Sequence, residues 1–218
     1  VLEDISDQEI DEDVSFTYIL SANDVDGDDL SYIVTLDGNG TFSVDGNNLT
    51  IFPNSDYLGL ITVYVTVTDG QYTDSDSFVL TVNAVNDAPV LETIADQDTD
   101  EDISFAYDVS ASDVDGDILD YFAVVVGGNG TASFEGSLLT VIPNPNYNGS
   151  LTISVAISDD EYTVNDSFIL IVNAVNDAPV LEDISDQEID EDVSFTYILS
   201  ANDVDGDDLS YIVTLDGN

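Results

Sequence analysis

Acidic side chains recur as short clusters at corresponding places in each repeat of this sequence. Carboxylates held close together repel one another unless a cation neutralises them. Ca²⁺ accepts about six to eight oxygen ligands with tolerant geometry, whereas Mg²⁺ demands a tighter octahedron and keeps its waters. The clusters therefore favour Ca²⁺. They are "DED" at 11–13, 100–102 and 190–192, "DVDGD" at 24–28, 113–117 and 203–207, "TDG" around Asp69 and "SDD" at 158–160.

The "DVDGD" cluster does not match an EF-hand loop, which needs glycine at its sixth position and glutamate at its twelfth. Counted from Asp24, Gly27 is the fourth residue and Thr35 is the twelfth. The alternative interpretation is a solvated Asp-Gly turn. Together with the joint between repeats, these motifs make four acidic or amide-rich clusters per repeat. That number favours cation binding over a solvated turn.

The same proline-containing joint, "NAVNDAPV", occupies 83–90 and 173–180. Pro89 and Pro179 fix their own φ and bias the preceding alanines towards extended geometry. Asparagine and aspartate supply oxygens where one repeat meets the next. We therefore expect a stiff, oxygen-rich joint, the alternative being a plain proline break between domains.

The overall composition excludes several classes of function. The chain has 47 acidic residues and no Lys, Arg, His or Cys, for a net charge of −47. Nucleic acid and anionic membrane surfaces are excluded as partners, because no cation is present to contact phosphate. Disulfides, thiol nucleophiles and Schiff bases are absent, and zinc is disfavoured without sulfur or nitrogen ligands. The acids stand in glycine-rich turns with no adjacent base, so we expect no enzyme. No run of 18 apolar residues is present, so we expect no membrane insertion in this segment.

Internal repetition is the strongest feature of the chain. Repeats begin at Val1, Val90 and Val180, spaced by 89 and 90 residues, and residues 180–218 repeat residues 1–39 without a change. Three segments follow: repeat one at 1–89, repeat two at 90–179, and an incomplete repeat three at 180–218 that holds only the first three strands. Recent duplication and a fibre of identical units both explain this identity. Strands from a neighbouring chain are one way to complete repeat three.

Each repeat has the pattern of an all-β domain. Ile61, Val63, Val65 and Val67 share one face of a period-2 run, and "DGNG" at 37–40 is a hairpin signal. About seven short strands in about 90 residues predict an Ig-like β-sandwich. We place the strands of repeat one near 1–5, 14–21, 30–36, 41–44, 49–52, 60–68 and 75–83, with matching strands in repeat two.

Over its whole length the chain resembles the cadherin-like repeats of large bacterial surface adhesins. "VNDAPV" is similar to the cadherin interdomain motif, "DED" to its early glutamate, "DVD" to its D-x-D pair and "TDG" to its late acidic motif. "VNDAP" and "PNYNG" are closer still to VCBS-type and dystroglycan-type repeats. The cadherin D-R-E motif is missing, and Asp56 has only Asn146 opposite it in repeat two.

The resemblance implies Ca²⁺ held at each joint by both neighbouring repeats. For the joint at 83–89 it implies the ligands Glu12, Asp56, Asn83, Asn86, Asp87, Asp113, Asp115 and Asp159. For the joint at 173–179 it implies Glu101, Asn173, Asn176, Asp177, Asp203 and Asp205. It implies that Asp24, Asp26 and Asp69 face a repeat preceding Val1.

The function expected from this resemblance is structural. Tandem Ig-like, cadherin-like sandwiches would form a Ca²⁺-stiffened extracellular rod, as the stalk of a giant adhesin or as a cell-surface fibre of further copies. The alternative is a carbohydrate-binding adhesion module with a glycan partner. That alternative predicts an exposed aromatic strip on one sheet face, and the absence of tryptophan counts against it.

Overall fold

The computed structural model describes residues 1–215, and the last three residues of the predicted third repeat, 216–218, lie outside the described residues. The chain divides into two compact units, Val1–Asp87 and Ala88–Asn218. Throughout residues 1–215 the regular secondary structure is β-strand, without a helix. The prediction of an all-β fold is confirmed.

The first unit is a seven-stranded sandwich of two sheets. One sheet has the order β1-β7-β6-β3 and the other has the order β2-β5-β4. Neighbouring strands are antiparallel except for β1, which runs parallel to β7. The strands are β1 (Gln8–Asp11), β2 (Phe16–Ile19), β3 (Ser31–Asp37), β4 (Gly40–Asp45), β5 (Asn48–Pro53), β6 (Gly59–Thr68) and β7 (Thr73–Asn83).

The second unit repeats this architecture and continues into the third repeat. Its sheets have the orders β12-β15-β16-β9 and β10-β14-β13, with the short pairs β8-β11 and β17-β18. The strands are β8 (Val90–Leu91), β9 (Gln97–Asp100), β10 (Phe105–Asp108), β11 (Ala111–Ser112), β12 (Asp120–Gly127), β13 (Gly130–Glu135), β14 (Leu138–Pro143), β15 (Gly149–Ser158), β16 (Thr163–Asn173), β17 (Val180–Leu181) and β18 (Ala201–Asn202).

Each unit has its own core, built from the alternating residues of the long strands. In the first unit the inward side chains of β6, among them Val63 and Val65, are fully buried beside Phe78 of β7. Ile153 and Val155 of β15 are buried beside Phe168 in the same way. Period-2 alternation forces one face of each strand inwards, so the sequence pattern translates directly into these cores.

The predicted strand at 1–5 is wrong. Leu2 makes only an isolated bridge to Ala22, and the regular strand begins later, at Gln8. The physical reason lies in β7, whose side chains take the place of a strand partner. The backbone N–H groups of Leu2 and Ile5 donate to the Oδ2 atoms of Asp74 and Asp76, at 2.9 and 2.7 Å.

The third repeat also differs from the expectation of three strands. Between 180 and 215 only the two-residue strands β17 and β18 form, paired with each other. Segments 193–200 and 209–215, which correspond to predicted strands, are not strands here. In repeat one the corresponding β2 and β3 pair with β5 and β6, and the residues from 180 onwards supply no such partners.

Candidate functional site

In each unit a buried glutamate follows the parallel strand, β1 or β9, and contacts the joint. In the second unit β9 runs parallel to β16, and Glu101 follows directly after β9, donating from its N–H to the carbonyl of Asn173 at 2.9 Å. Its side chain is only 4% exposed, and Oε1 accepts the N–H of Val175 at 2.6 Å. The carboxylate therefore lies directly beneath the backbone of the joint at 173–179.

The first unit has the same arrangement around Glu12. Its N–H donates to the carbonyl of Asn83 at 2.9 Å, and its Oε1 accepts the N–H of Val85 at 2.7 Å. A buried carboxylate is stable only when it is hydrogen-bonded or paired, and the joint supplies that partner in both units. Glu12 and Glu101 thus hold the joint as well as offering a negatively charged oxygen.

Acidic groups of repeats two and three converge on the joint at 173–179. The N–H of Asp177 donates to Oδ2 of Asp205 at 2.6 Å. Burial, followed by the charges of Asp205, Asp102, Glu101 and Asp203, raises the pKa of the Asp177 carboxyl. The ionised form of this carboxylate is therefore disfavoured by its surroundings, as expected of a position that a cation would stabilise.

A loop opposite the joint contributes a further pair of polar groups. Asp102 accepts the N–H of Asn146 on Oδ1 at 2.9 Å. With its side-chain amide turned so that nitrogen faces the acids, Asn146 also donates to Oδ2 of Asp102 and to Oδ2 of Asp177, each at 3.3 Å. Asp102 and Asn146 both have positive φ, of 60° and 55°. This left-handed backbone conformation, which L-residues seldom adopt, places both side chains near Asp177 of the joint.

In the first unit, the three residues that correspond to Asp102, Asn146 and Asp177 are all aspartates. Carboxylate oxygens of Asp13, Asp56 and Asp87 lie within 4.8 Å of one another. Asp13 accepts the N–H of Asp56 at 3.3 Å, as Asp102 does from Asn146. Asp13 and Asp102 were not among the predicted ligands, although both end a "DED" triplet. The missing signal was their left-handed backbone, with φ of 57° and 60°, which turns the third residue of the triplet towards the joint.

The "DVDGD" segments form turns in which the first aspartate organises the others. Oδ1 of Asp113 accepts the N–H groups of Asp115 and Asp117, at 2.9 and 3.4 Å. Its Oδ2 is buried and has no hydrogen-bond partner among the described residues. Oxygens of Asp113, Asp115 and Asp117 lie within 4.8 Å of one another. Asp117 is a further group that the sequence prediction did not include.

The same turn recurs at the two other copies of the motif. Oδ1 of Asp24 accepts the N–H of Asp26 at 2.9 Å, and Oδ1 of Asp203 accepts the N–H of Asp205 at 3.0 Å. Asp24 and Asp26 line one cleft together with Asp69, so these three predicted residues lie together at one end of the first unit.

The late acidic motif caps the hairpin between the two longest strands of each unit. Oδ1 of Asp69 accepts the N–H groups of Tyr72 and Gln71 at 2.6 and 2.7 Å, and these bonds lower the pKa of its carboxyl. Asp159 makes the same bonds to Tyr162 and Glu161, at 2.6 and 2.8 Å, and is 8% exposed. Asp159 is therefore a buried carboxylate that the turn already holds in place.

Three of the four predicted amide ligands have side-chain hydrogen bonds at the joints. The side-chain nitrogens of Asn86 and Asn176 donate to the carbonyls of Asp87 and Asp177, at 3.1 and 2.9 Å. The side-chain nitrogen of Asn173 lies 3.4 Å from Oδ1 of Asp100. Asn83 ends β7, opposite Asp11 in the register. The amides of Asn86 and Asn176 thus contact the joint backbone, in addition to carrying oxygens.

These residues fit a hard divalent cation. All the candidate groups offer oxygen ligands, and several are carboxylates that lie within a few ångströms of each other. Oδ2 of Asp113 is buried, and none of residues 1–215 donates a hydrogen bond to it. Oxygen-rich, negatively charged groups of variable spacing suit Ca²⁺ better than Mg²⁺.

The fold and the site define tandem Ig-like sandwiches with acidic joints. Residues 1–83 and 86–171 each match the bacterial Ig domain family. The chain belongs to this family, in two copies.

The chain is similar to parts of a chitinase and of two cadherins. Over 107 residues the chain is 31% identical to chitinase A of Pseudoalteromonas piscicida, covering 48% of this chain and 13% of the chitinase. Drosophila N-cadherin EC1-4 is 15% identical with a TM-score of 0.49, covering 78% of this chain and 48% of that one. Human mucin-like protocadherin EC1-2 is 18% identical with a TM-score of 0.47, covering 80% and 98%.

The chain thus spans a small part of the chitinase that it matches. Residues 1–215 contain no helix that is long and apolar enough to cross a membrane.

Proposed function

We propose that this chain is a non-catalytic, extracellular rod segment whose joints are stiffened by Ca²⁺, in the stalk of a large adhesin or in a surface fibre. We place it among VCBS-type, dystroglycan-type cadherin-like repeats. The observation that carries the proposal is the joint at 173–179. There the backbone of Asp177 is bound by Asp205 of the next repeat, while its own carboxylate is surrounded by acids.

The proposed ligands at this joint come from both sides of it. Glu101 and Asp102 come from the repeat before the joint, Asp177 from the joint itself, and Asp203 and Asp205 from the repeat after it. When bound, Ca²⁺ would supply positive charge that links these oxygens across the joint. The chain's own groups do the positioning, because Glu101 holds the backbone of Val175 and Asp205 holds that of Asp177.

Repeat equivalence extends the proposal to the joint at 83–89 as a prediction from sequence. Glu12, Asp56 and Asp87 would contribute from the first unit, and Asp113, Asp115 and Asp159 from the second. Asparagine oxygens at Asn83, Asn86, Asn173 and Asn176 are the proposed neutral ligands. Asp24, Asp26 and Asp69 are the proposed ligands towards a preceding repeat.

A non-catalytic role is supported by the chemistry of the acids. The aspartates of the "DVDGD" turns and of the hairpin turns hold backbone N–H groups, as Asp24 and Asp69 do. Acid–base catalysis requires two groups beside a substrate cleft, one protonated as the general acid and one ionised as the general base. No lysine, histidine or cysteine is present to take part.

The test is thermal unfolding of the chain in excess EGTA, then in millimolar Ca²⁺, then in equal Mg²⁺. We expect a Ca²⁺-specific rise in the melting temperature of the second unit. Asp203→Asn with Asp205→Asn should remove most of that rise. The matched control is Asp183→Asn with Asp186→Asn, which removes the same charge from the same repeat and should keep the rise. An equal response of both double variants would contradict the proposed ligands.

The second candidate function is a carbohydrate-binding module, which the likeness to a chitinase favours. Sugars stack on exposed aromatic rings, and the outward faces of the four-stranded sheets present Tyr64 in one unit and Phe122 in the other. Co-sedimentation with insoluble chitin tests this candidate. Binding that is lost in a Tyr64→Ala, Phe122→Ala variant would favour it, and an unbound chain would exclude chitin.

A further inference from the structure

One position separates the polar clusters that the two units carry at their joints. In the first unit the three equivalent positions are held by Asp13, Asp56 and Asp87. In the second unit they are held by Asp102, Asn146 and Asp177. The carboxylate oxygens of the first cluster lie within 4.8 Å of one another. A neutral amide therefore stands in the second unit where the first unit has a third carboxylate.

The backbone at this position is the same in both units, so the comparison isolates the side chain. Asp56 and Asn146 both have a φ of 55°. The N–H of Asp56 donates to Oδ1 of Asp13 at 3.3 Å, and the N–H of Asn146 donates to Oδ1 of Asp102 at 2.9 Å. The two clusters therefore differ in charge and in side-chain donors rather than in the turn that presents them.

The amide of Asn146 bridges the two carboxylates of its cluster. Its nitrogen donates to Oδ2 of Asp102 and to Oδ2 of Asp177, each at 3.3 Å. The opposite orientation would turn the amide oxygen towards acceptors only, so the hydrogen-bond partners decide the orientation. An ionised carboxylate has no hydrogen to donate, so Asp56 cannot form this amide bridge.

The surroundings of Asp177 explain why a donor at position 146 stabilises the second unit. The carboxylate of Asp177 already interacts unfavourably with the negative charges of Asp205, Glu101 and Asp203. A carboxylate at position 146 would add to this repulsion. Asn146 instead places the partial positive charge of its NH₂ group against the acids, as a bound cation would do.

We propose that Asn146 does in the second unit part of the work of a cation, holding Asp102 and Asp177 together through its amide bridge, and thereby raises the Ca²⁺ concentration at which the joint at 173–179 is stiffened. The first unit, with Asp56 at this place, depends more strongly on the ion. The chain would then stiffen in two steps as Ca²⁺ rises. The calcium part of this inference rests on the proposed function, whereas the amide bridge does not.

The physical reason for two Ca²⁺ thresholds is the charge of the ligands and the cost of rearranging them. The number of charged ligands is one of the features that tune the affinity of a calcium site. The cluster of the first unit offers three carboxylates, and that of the second unit offers two. Ca²⁺ would also have to break the amide bridge before the oxygen of Asn146 could turn towards it. Both effects weaken Ca²⁺ binding in the second unit.

The amide bridge is tested by calorimetric melting of the full 218-residue chain in EGTA at low salt. Asn146→Asp should lower the melting temperature of the second unit by at least about 3 °C, because a charge replaces two donors that face acids. In an Asp102→Asn background the same change should cost at most about half as much, since one facing acid is then neutral. Any backbone preference at position 146 is common to both backgrounds and cancels. Asn165→Asp, at an exposed position of the same unit, is the matched control and should cost far less.

The reciprocal change in the first unit should act in the opposite direction. Asp56→Asn removes one of three mutually repelling charges and introduces the bridging amide. In EGTA the first unit should therefore melt at least about 3 °C higher. Asp45→Asn, which removes the same charge from an exposed position of this unit, is the matched control and should have little effect.

Calcium titrations of the same variants test the two thresholds. Asn146→Asp should lower the Ca²⁺ concentration for half of the second unit's rise in melting temperature by at least about fivefold, and Asp56→Asn should raise that of the first unit by a similar factor. Half-points left unchanged by both substitutions would overturn the two thresholds.

The measurements in EGTA decide the amide bridge independently of calcium. No loss from Asn146→Asp, or an equal loss in both Asp102 backgrounds, would overturn the bridge even if both units respond to Ca²⁺. If neither unit responds to Ca²⁺, the proposed function and the two thresholds fail, while the predicted losses in EGTA would still support the bridge.

Discussion

Replacing Glu101 in two different ways separates its structural role from its proposed role as a metal ligand. Its Oε1 accepts the N–H of Val175 at 2.6 Å from a side chain that is almost fully buried. Glu101→Ala removes this charged acceptor and leaves the N–H under the joint without it. A hydrogen bond to a charged group contributes about 1.5–3 kcal/mol. For a domain of this size that loss corresponds to a fall in melting temperature of at least about 6 °C.

Glu101→Gln keeps an oxygen acceptor in the same place but removes the charge. In chelator we expect this variant to unfold close to the wild-type temperature, because the bond to Val175 persists. In Ca²⁺ its rise in melting temperature should be reduced, because an amide oxygen is a weaker ligand for a hard cation than a carboxylate. Glu101→Ala should fall in both solutions.

Differential scanning calorimetry in EGTA and in millimolar Ca²⁺ measures both effects on the second unit. Glu161→Ala and Glu161→Gln, at an exposed glutamate of the same unit, are the matched controls and should change neither value. Equal destabilisation of the two Glu101 variants in chelator would contradict the structural role of the bond to Val175. A Glu101→Gln variant that keeps the full response to Ca²⁺ would contradict the role of Glu101 as a metal ligand.

Three further predictions concern charge and packing. Asp177 has a raised pKa in the folded state, so its contribution to stability is present below the unfolded pKa and is lost as pH rises through the folded pKa. Asp177→Asn should therefore stabilise the second unit at pH 7 in chelator and reduce its gain from Ca²⁺, as thermal melts can show. Asp69 has a lowered pKa, so its contribution is present above the unfolded pKa and is lost as pH falls through the folded pKa. Asp69→Ala should accordingly lower the melting temperature of the first unit near neutral pH, with a smaller difference in acid. Ile153→Ala empties a fully buried position in the second core and should cost about 2–5 kcal/mol in urea unfolding, whereas Ser154→Ala, the next residue along β15, should cost far less.

The sandwich was predictable from sequence because its long strands alternate without interruption. Val63 and Val65 are buried as the period-2 pattern requires. The hairpin predicted at "DGNG" is wrong, because β3 pairs with β6 in one sheet and β4 pairs with β5 in the other, so this turn crosses between the sheets. The parallel strand β1 was not predictable in this way. Its four residues, "QEID", have only a weak pattern, and their pairing partner β7 lies about 70 residues further along the chain.

The candidate site was predictable in composition and only partly in geometry. The "DED" and "DVDGD" motifs identified the acids, but not that Asp13 and Asp102 turn towards the joints. Their positive φ values arise where β1 and β9 end, and local sequence does not specify which aspartate takes the left-handed conformation. Likewise, the contact from Asp177 to Asp205 joins residues of two repeats, and only the folded chain brings them together.

Calcium stiffening of the joint is tested most directly by amide hydrogen exchange at Val175 and Asp177, whose N–H groups are bound by Glu101 and Asp205. Exchange rates would be compared in chelator, in Ca²⁺ and in equal Mg²⁺. If Ca²⁺ links the surrounding carboxylates, exchange at both amides should slow at least about tenfold in Ca²⁺ alone, which corresponds to about 1.4 kcal/mol of local stability. Equal rates in all three solutions, or equal slowing by both ions, would contradict a Ca²⁺-stiffened joint.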